Sequence, residues 1–243
     1  MYSKSVDLYK DSIGKVEYVD HMGTDLSVIN SARVSFGVQK DELDDRDKKL
    51  IKYLIKHKHT SVLEHNCVTF RFTVPLYVRS QHHRHRTWSY NEISRRYTDV
   101  NIKFYEPQAF RTQHKSNRQA SNAEELIDPN LNWLGEDATE TNAFWDGFVA
   151  SKALKKHHKN SLRLYNLLLE RGVCREQARG VLPQNMYTEY YGTVNLSNLL
   201  KFIDLRTHEG AQWEIQKLAE ACLEIATDLF PETVGAFREN RKS

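Results

Sequence analysis

The clearest pattern along the chain is a strict alternation of apolar and polar residues over 66–74, which predicts a half-buried β-strand. The apolar face consists of Val68, Phe70, Phe72 and Val74, and the other face of Cys67, Thr69, Arg71 and Thr73. Pro75 ends this strand and opens a short helix. Shorter runs of alternating, β-branched or aromatic residues predict three further strands, over 15–20, 101–105 and 186–194.

Helical periodicity predicts most of the remaining elements. Thr24 caps a helix that runs through Leu26, Ile29 and Val34. A helix over 43–57 places its apolar stripe opposite the charges of DDRDKK, with the stripe formed by Leu50, Leu54 and His57. Further helices are predicted over 151–171, ending at Gly172 as the C′ residue, and over 173–182, 196–205 and 211–229.

The order of these elements predicts the fold class. Strands and helices alternate without an internal repeat or a linker, which favours an α/β (α+β) fold. We expect a mixed central sheet flanked by helices, in a single domain over residues 1–243. The stretch 111–147 is polar, with scattered Trp133, Phe144 and Trp145, and predicts a peripheral loop or lid.

Composition narrows the class of protein. The 243 residues are 40% hydrophobic, 28% charged and 11% aromatic, which is typical of a globular protein and excludes a disordered one. Lys and Arg number 35 against 32 Asp and Glu, so any argument from charge must be local. No apolar run approaches the length of a membrane span or a signal peptide, and we expect a cytoplasmic protein without membrane contact.

Common catalytic and metal-binding motifs are missing from the sequence. It contains no GxGxxG, P-loop or GxSxG pattern, and its three cysteines predict reduced packing residues rather than a nucleophile. Several histidines lie close together, but no HExxH or Cys/His quartet accompanies them: His57, His59, His65, His82, His83 and His85. We therefore predict no metal, and a metal-dependent phosphohydrolase is kept as a weaker alternative.

The segment 79–97 is locally basic. Five arginines face a single acid, Glu92, with aromatic residues between them: Arg79, Arg84, Arg86, Arg95 and Arg96, and Trp88, Tyr90 and Tyr97. A solvated basic face is the simplest interpretation. The segment follows a buried strand and mixes arginines with amides and hydroxyls, which suits a phosphate joined to a heterocycle. An RNA-binding module that stacks bases on the aromatics is a second interpretation.

Within this segment, Arg84-His85-Arg86 is followed by seven residues and Ser94, a spacing that resembles the signature of the flavin-dependent thymidylate synthases. Other segments resemble the family in the same order: ARVSF at 32–36, HKHTSVLEH at 57–65, CREQARGVLP at 174–183, TVN at 193–195 and DLRTHEGAQWEIQ at 204–216. The resemblance covers the chain except for about 111–147, which it makes an insertion.

The resemblance implies a methyltransferase. The family makes dTMP from dUMP, with methylenetetrahydrofolate as one-carbon donor and NADPH-reduced FAD as the source of hydride. It needs no cysteine to attack uracil, which agrees with the lack of a catalytic cysteine here. It also implies a homotetramer whose active sites take residues from more than one chain, and gives no role to nucleic acid.

By motif position, the resemblance assigns site residues. Arg206 would activate the uracil, and His59 lies near the flavin as a second catalytic candidate. The dUMP-binding set is Gln81, Arg84, Glu92, Ser94, Arg96, Arg179 and Arg206. The FAD-binding set is Ser61, Arg84, His85, Arg86, Glu92, Asn195, Ser197 and Lys201. Ser197 and Lys201 stand where some members have Arg and Asn, and Gly210 where some have His.

Overall fold

A computed structural model describes residues 2–131 and 147–242, which form two compact units. Unit 1 comprises Met1–Val74, Val78–Glu92 and Glu189–Ser243, and unit 2 comprises Pro75–Tyr77 and Ile93–Thr188. The aromatic residues of the polar stretch predicted as a loop or lid, Trp133, Phe144 and Trp145, lie outside the described residues.

The strands and helices follow the predicted order, with additions. The strands are β1 (Ser5–Asp7), β2 (Lys15–Met22), β3 (Cys67–Pro75), β4 (Ser89–Glu92), β5 (Phe110–Gln113), β6 (Ser121–Ile127) and β7 (Tyr187–Asn195). The helices are α1 (Asp25–Arg33), α2 (Asp45–Lys56), α3 (Leu76–His82), α4 (Ala150–Glu170), α5 (Arg175–Ala178), α6 (Leu196–Arg206), α7 (Trp213–Leu229) and α8 (Pro231–Lys242). Together they confirm the α/β class.

The larger sheet has five strands, in the order β1-β2-β3-β7-β4. The β1–β2, β2–β3 and β4–β7 pairs are antiparallel. The predicted alternation in β3 is confirmed, because Val68, Phe70, Phe72 and Val74 are all fully buried. Gly192 in β7 has no room for a side chain, since an added Cβ would lie 2.9 Å from the Phe72 ring. Glycine therefore allows β7 to pack closely against the core.

Two details of the first helices differ from the prediction. Ile29 is buried as predicted, but Val34 follows the end of α1 and is 70% exposed, and Val28 completes the buried face of the helix. In α2, Asp47 does not lie on a solvated charged face. It is fully buried and ion-paired with Arg33 and Lys40, so the buried stripe contains a neutralised carboxylate.

The stripe of α2 is also shifted from its expected position. Leu54 is buried as predicted, together with Ile51, whereas Leu50 is only partly buried and His57 is exposed. The helix begins two residues later than the apolar pattern, because Asp44 caps it by accepting hydrogen bonds from the amides of Arg46 and Asp47.

Unit 2 contains the long helix α4. Gly172 follows it with φ +84°, which confirms the predicted C′ glycine. A small apolar core joins Tyr165 of α4 to Ala178, Leu182 and Met186. Residues 173–182 are not one helix, since α5 is followed by a separate 3₁₀ turn over Arg179–Val181.

The structure corrects two further expectations in unit 2. The segment 101–105 is not a strand and contributes one isolated bridge, from Phe104 to Met186. The stretch from 111 onward is not only loop, because β5 and β6 pair as an antiparallel hairpin. Within the described residues, no helix is both long and apolar enough to cross a membrane.

The two ends of unit 1 are joined by one buried carboxylate. Asp25, the first residue of α1, is 4% exposed and accepts hydrogen bonds from the backbone amides of Glu232 and Thr233, at 2.8 and 3.0 Å. It also accepts the Thr233 hydroxyl. Asp25 thereby satisfies the first amides of α8, a role that a residue next to the helix usually fills.

We predict that Asp25→Ala lowers the free energy of unfolding by about 1.5 to 3 kcal/mol, because the substitution leaves two buried amides without an acceptor. Urea denaturation measures the change. Asp41→Ala is the control, because Asp41 is exposed. Equal stability of the two variants would contradict the capping role.

Candidate active site

The predicted signature residues lie in the turn between α3 and β4. Arg84 and Arg86 are exposed on either side of His85, which is half-buried. The Tyr90 hydroxyl, on β4, lies 2.9 Å from the carbonyl oxygen of His82 and 3.2 Å from that of His85, and shares its one proton between them. The strand after the turn therefore fixes the backbone of the turn.

A buried histidine lies under this turn. His82 is fully buried, and its ring centroid lies 4.8 Å from those of Phe72 and Phe202 and 4.5 Å from that of Trp88. Its Nδ1 forms a 2.8 Å hydrogen bond with the Tyr190 hydroxyl. Burial holds the pKa of His82 well below 6.5, so the ring is neutral.

The structure brings Arg206 to the signature turn. Arg206 is the last residue of α6, and its Nε donates a 3.0 Å hydrogen bond to Nε2 of His85. Burial, with the nearby Arg206 cation as the second cause, lowers the pKa of His85 to about 4. Burial also lowers the pKa of Arg206. A neutral imidazole and a partly desolvated guanidinium thus form one unit.

Gln81 belongs to a hydrogen-bonded chain that the sequence pattern does not indicate. Its Nε2 donates to Oε1 of Gln212, and Gln212 Nε2 donates to the carboxylate of Glu214 at 2.8 Å. Because a carboxylate only accepts, Glu214 determines which way both amides point. Gln81 Oε1 is buried without a partner among the described residues. The QWEIQ segment was part of the family resemblance, but its pattern gives no hint of this contact.

Glu92 has a partner from its own cluster. Arg79 Nε donates to Glu92 Oε1 at 3.1 Å, with both side chains largely buried. Glu92, the only acid among the five arginines of this segment, is therefore ion-paired with one of them. Glu92 is also in register with Tyr190 of β7, which fixes its position on the sheet.

In unit 2, Ser94 and Arg96 share a turn. Ser94 Oγ accepts a 3.3 Å hydrogen bond from the Arg96 amide, and the Arg96 side chain is exposed. Arg95, between them, is buried and donates to the Val100 carbonyl at 2.7 Å, so it stabilises the turn.

Arg179, the third predicted phosphate ligand, is exposed at the start of its 3₁₀ turn in unit 2. Glu176 lies three positions earlier, and among the described residues no ion pair joins it to Arg179. The neighbouring Arg175 is the arginine that pairs with a carboxylate, that of Asp99 at 3.2 Å.

Two adjoining pockets in unit 1 collect several of the predicted flavin residues. One pocket, of about 470 Å³, is lined by hydroxyl groups and includes His59 and Ser61. The other, of about 310 Å³, includes His59, Ser197 and Lys201. Both pockets share Leu54, Lys58, His59 and Thr60.

The other predicted flavin residue of this region, Asn195, has a structural role. Its Oδ1 caps α6 by accepting the Asn198 amide at 2.9 Å. The Ser197 hydroxyl is buried without a partner among the described residues.

The aromatics of the basic segment are not all available for base stacking. Trp88, one of the aromatics that base stacking would need, is 5% exposed, and the Tyr90 hydroxyl is used inside the fold. Among residues 2–131 and 147–242, no group of three or more His, Cys, Asp or Glu side chains is arranged to hold a metal ion.

A family model and individual relatives both identify the proteins that this chain is similar to. The family model described as "Thymidylate synthase complementing protein" matches residues 17–232, which run through both units. Flavin-dependent thymidylate synthases from Thermus thermophilus and Thermotoga neapolitana are each 40% identical to this chain. The alignments cover 93% of this chain and 76% of the first relative, and 92% and 90% for the second.

A solved structure is also similar. The crystal structure of the UMP/dUMP methylase PolB from Streptomyces cacaoi, bound with 5-Br dUMP, superposes with a TM-score of 0.76 at 32% identity. It covers 96% of this chain and 97% of its own. With the family model and the relatives matching most of the chain, this protein belongs to the family of flavin-dependent thymidylate synthases.

Proposed function

We propose that this enzyme makes dTMP from dUMP, with methylenetetrahydrofolate as the one-carbon donor and NADPH-reduced FAD as the source of hydride. One observation carries the proposal. The arginine assigned to uracil activation is hydrogen-bonded to the histidine of the signature turn assigned to the flavin. A dUMP methylase as structural neighbour supports dUMP as the substrate.

Arg206 activates the nucleotide in this proposal. Attack by C5 of uracil requires electron density in the ring, which rises when N3 loses its proton. A guanidinium at the N3/O2 edge stabilises that enolate-like form. Because Nε donates to His85, the two terminal nitrogens of Arg206 provide the planar two-point contact.

The phosphate of dUMP is held by side chains, since the sequence has no glycine-rich phosphate loop. We assign this role to Ser94, Arg96 and Arg179. The exposed guanidinium groups of the two arginines suit a phosphate that carries about two negative charges. Ser94 accepts the Arg96 amide, which leaves its hydroxyl proton to donate.

We keep the remaining nucleotide candidates in the proposal, with the following roles. Gln81 has an unpartnered acceptor, Oε1, which fits a donor on the nucleotide better than the phosphate. Glu92, paired with Arg79, is kept as a residue that helps hold the nucleotide and the flavin. Arg84 is exposed and is kept for both dUMP and FAD.

The pockets around His59 fit parts of FAD. Hydroxyl groups and the cations of Lys58 and Lys201 line them, a donor set suited to a pyrophosphate and a ribityl chain. The buried hydroxyl of Ser197 is a further donor. We therefore place Ser61, Ser197 and Lys201 on the cofactor, with His85, Arg86 and Asn195. When bound, FAD supplies the hydride chemistry that no side chain can provide.

The quaternary structure completes the proposal. A homotetramer with sites that use more than one chain follows from the family resemblance, and D2 symmetry is the simplest closed form. Use of NADPH and of methylenetetrahydrofolate, and a cytoplasmic location, belong to the same proposal.

We predict that the purified protein carries noncovalent FAD and oxidises NADPH faster when dUMP is present. Flavin absorbs between about 350 and 500 nm, so one spectrum detects it. Chromatography of a reaction with all four ligands should detect dTMP, and reactions that lack dUMP or methylenetetrahydrofolate are the controls. A protein that stays colourless after incubation with FAD would contradict the proposal.

Arg206→Lys keeps the charge but loses the planar contact, so we expect turnover to fall by about ten- to a thousandfold. Steady-state kinetics at saturating dUMP measures the loss. Arg46→Lys, an exposed exchange on α2, is the matched control. If Arg206 only stabilises the end of α6, the lysine variant will unfold more easily but turn over at the wild-type rate.

Ser94→Ala tests whether Ser94 is a donor or a nucleophile. No histidine or carboxylate contacts Ser94 among the described residues, so nothing there activates it as a nucleophile. We expect dUMP binding to weaken by about 1.5 to 3 kcal/mol while dTMP formation persists. Calorimetry measures binding, with Ser116→Ala at an exposed turn as control. A nucleotide covalently attached at Ser94 during turnover would refute the donor role.

A further inference from the structure

The hydrogen bond between Arg206 and His85 determines which ring nitrogen of His85 carries the proton. A guanidinium has five N–H donors and no acceptor, so Nε2 of His85 must be unprotonated where Arg206 Nε donates to it. The neutral ring then carries its proton on Nδ1. The low pKa of His85 agrees with this assignment.

The Arg206 side chain needs a contact that limits its motion, because it lies at the end of a helix. It is the last residue of α6, where helical hydrogen bonding ends. A long arginine side chain has about 2 kcal/mol of rotamer entropy to lose before it can present a fixed planar edge. Because His85 already holds Nε, part of this rotamer entropy is lost before the nucleotide binds.

His85 is itself restrained from two sides. Its ring meets the Phe202 ring edge to face, with centroids 4.8 Å apart and an interplanar angle of 88°. Its backbone carbonyl accepts from the Tyr90 hydroxyl, which also lies within hydrogen-bonding distance of the His82 carbonyl. Burial raises the pKa of Tyr90, so this hydroxyl stays a neutral donor at any working pH.

We infer that Tyr90 and His85 are positioning residues for Arg206. Tyr90 holds the backbone of the signature turn, His85 Nε2 holds the guanidinium, and the terminal nitrogens of Arg206 are thereby aimed before the substrate arrives. This inference rests on the proposed activating role of Arg206. It gives His85 a function besides flavin binding, and it gives Tyr90 its first function.

Tyr90→Phe tests the inference without removing any group assigned to dUMP or FAD. The variant loses the hydroxyl but keeps the ring, which stacks on His83 with centroids 4.1 Å apart. We expect kcat to fall about three- to tenfold, with KM for dUMP and the flavin content unchanged. Tyr191→Phe, at an exposed position of β7, is the control and should keep wild-type kcat.

A double-mutant cycle separates positioning from general damage. In the Arg206→Lys background, Tyr90→Phe should change kcat less than twofold, because the guanidinium it positions is gone. An equal loss in both backgrounds, or no loss from Tyr90→Phe alone, would overturn the inference. Wild-type turnover of Arg206→Lys would instead remove the activating role itself, and the positioning role with it.

A spectroscopic measurement does not depend on turnover. In ¹⁵N-histidine-labelled holoenzyme near pH 7, the His85 signals should report the Nδ1–H tautomer, with Nε2 unprotonated. The signals are assigned by their loss in His85→Gln. A protonated Nε2 in the wild type would overturn the inference, since that nitrogen could not accept from Arg206.

Discussion

The site depends on a buried histidine, His82, that stays neutral. His82 lies without access to water among Phe72, Trp88 and Phe202, and its position is tenable only while the ring is neutral. Tyr190 satisfies one ring nitrogen from β7. Residues of β3, β7 and α6 therefore all pack on the His82 side chain. The signature turn begins directly after it, so the turn is anchored in the core at its start although its arginines are exposed.

The sequence predicted the elements whose stability comes from simple burial. β3 alternates because one of its faces is completely dry, and α4 ends at a glycine because the C′ residue requires a positive φ. The errors arise where burial and polarity conflict. Asp47 looks like a surface residue by type, but Arg33 and Lys40 neutralise it inside the fold. Such pairing depends on residues distant in sequence, which a periodicity argument cannot detect.

The same limit applies to the site. Residue types and spacing indicated which side chains take part, since arginines and amides in one segment suit a nucleotide. They could not indicate which of these side chains contact each other. Arg95 supports a turn instead of facing solvent, and Gln81 takes its orientation from Glu214 through Gln212. These roles follow from hydrogen-bond direction, which becomes visible only when donors and acceptors are located in space.

The capping of α8 by Asp25 has a consequence for biosynthesis. Asp25 and Glu232 are 207 positions apart, so the amides that Asp25 caps are synthesised long after the carboxylate itself. At about 5 to 20 residues per second, the carboxylate waits roughly 10 to 40 s for its partners. Throughout that interval the carboxylate at the start of α1 lacks the amides it will cap. Unit 1 can therefore reach its final form only after α8 has been synthesised, and until then the Asp25 carboxylate lacks its buried partners.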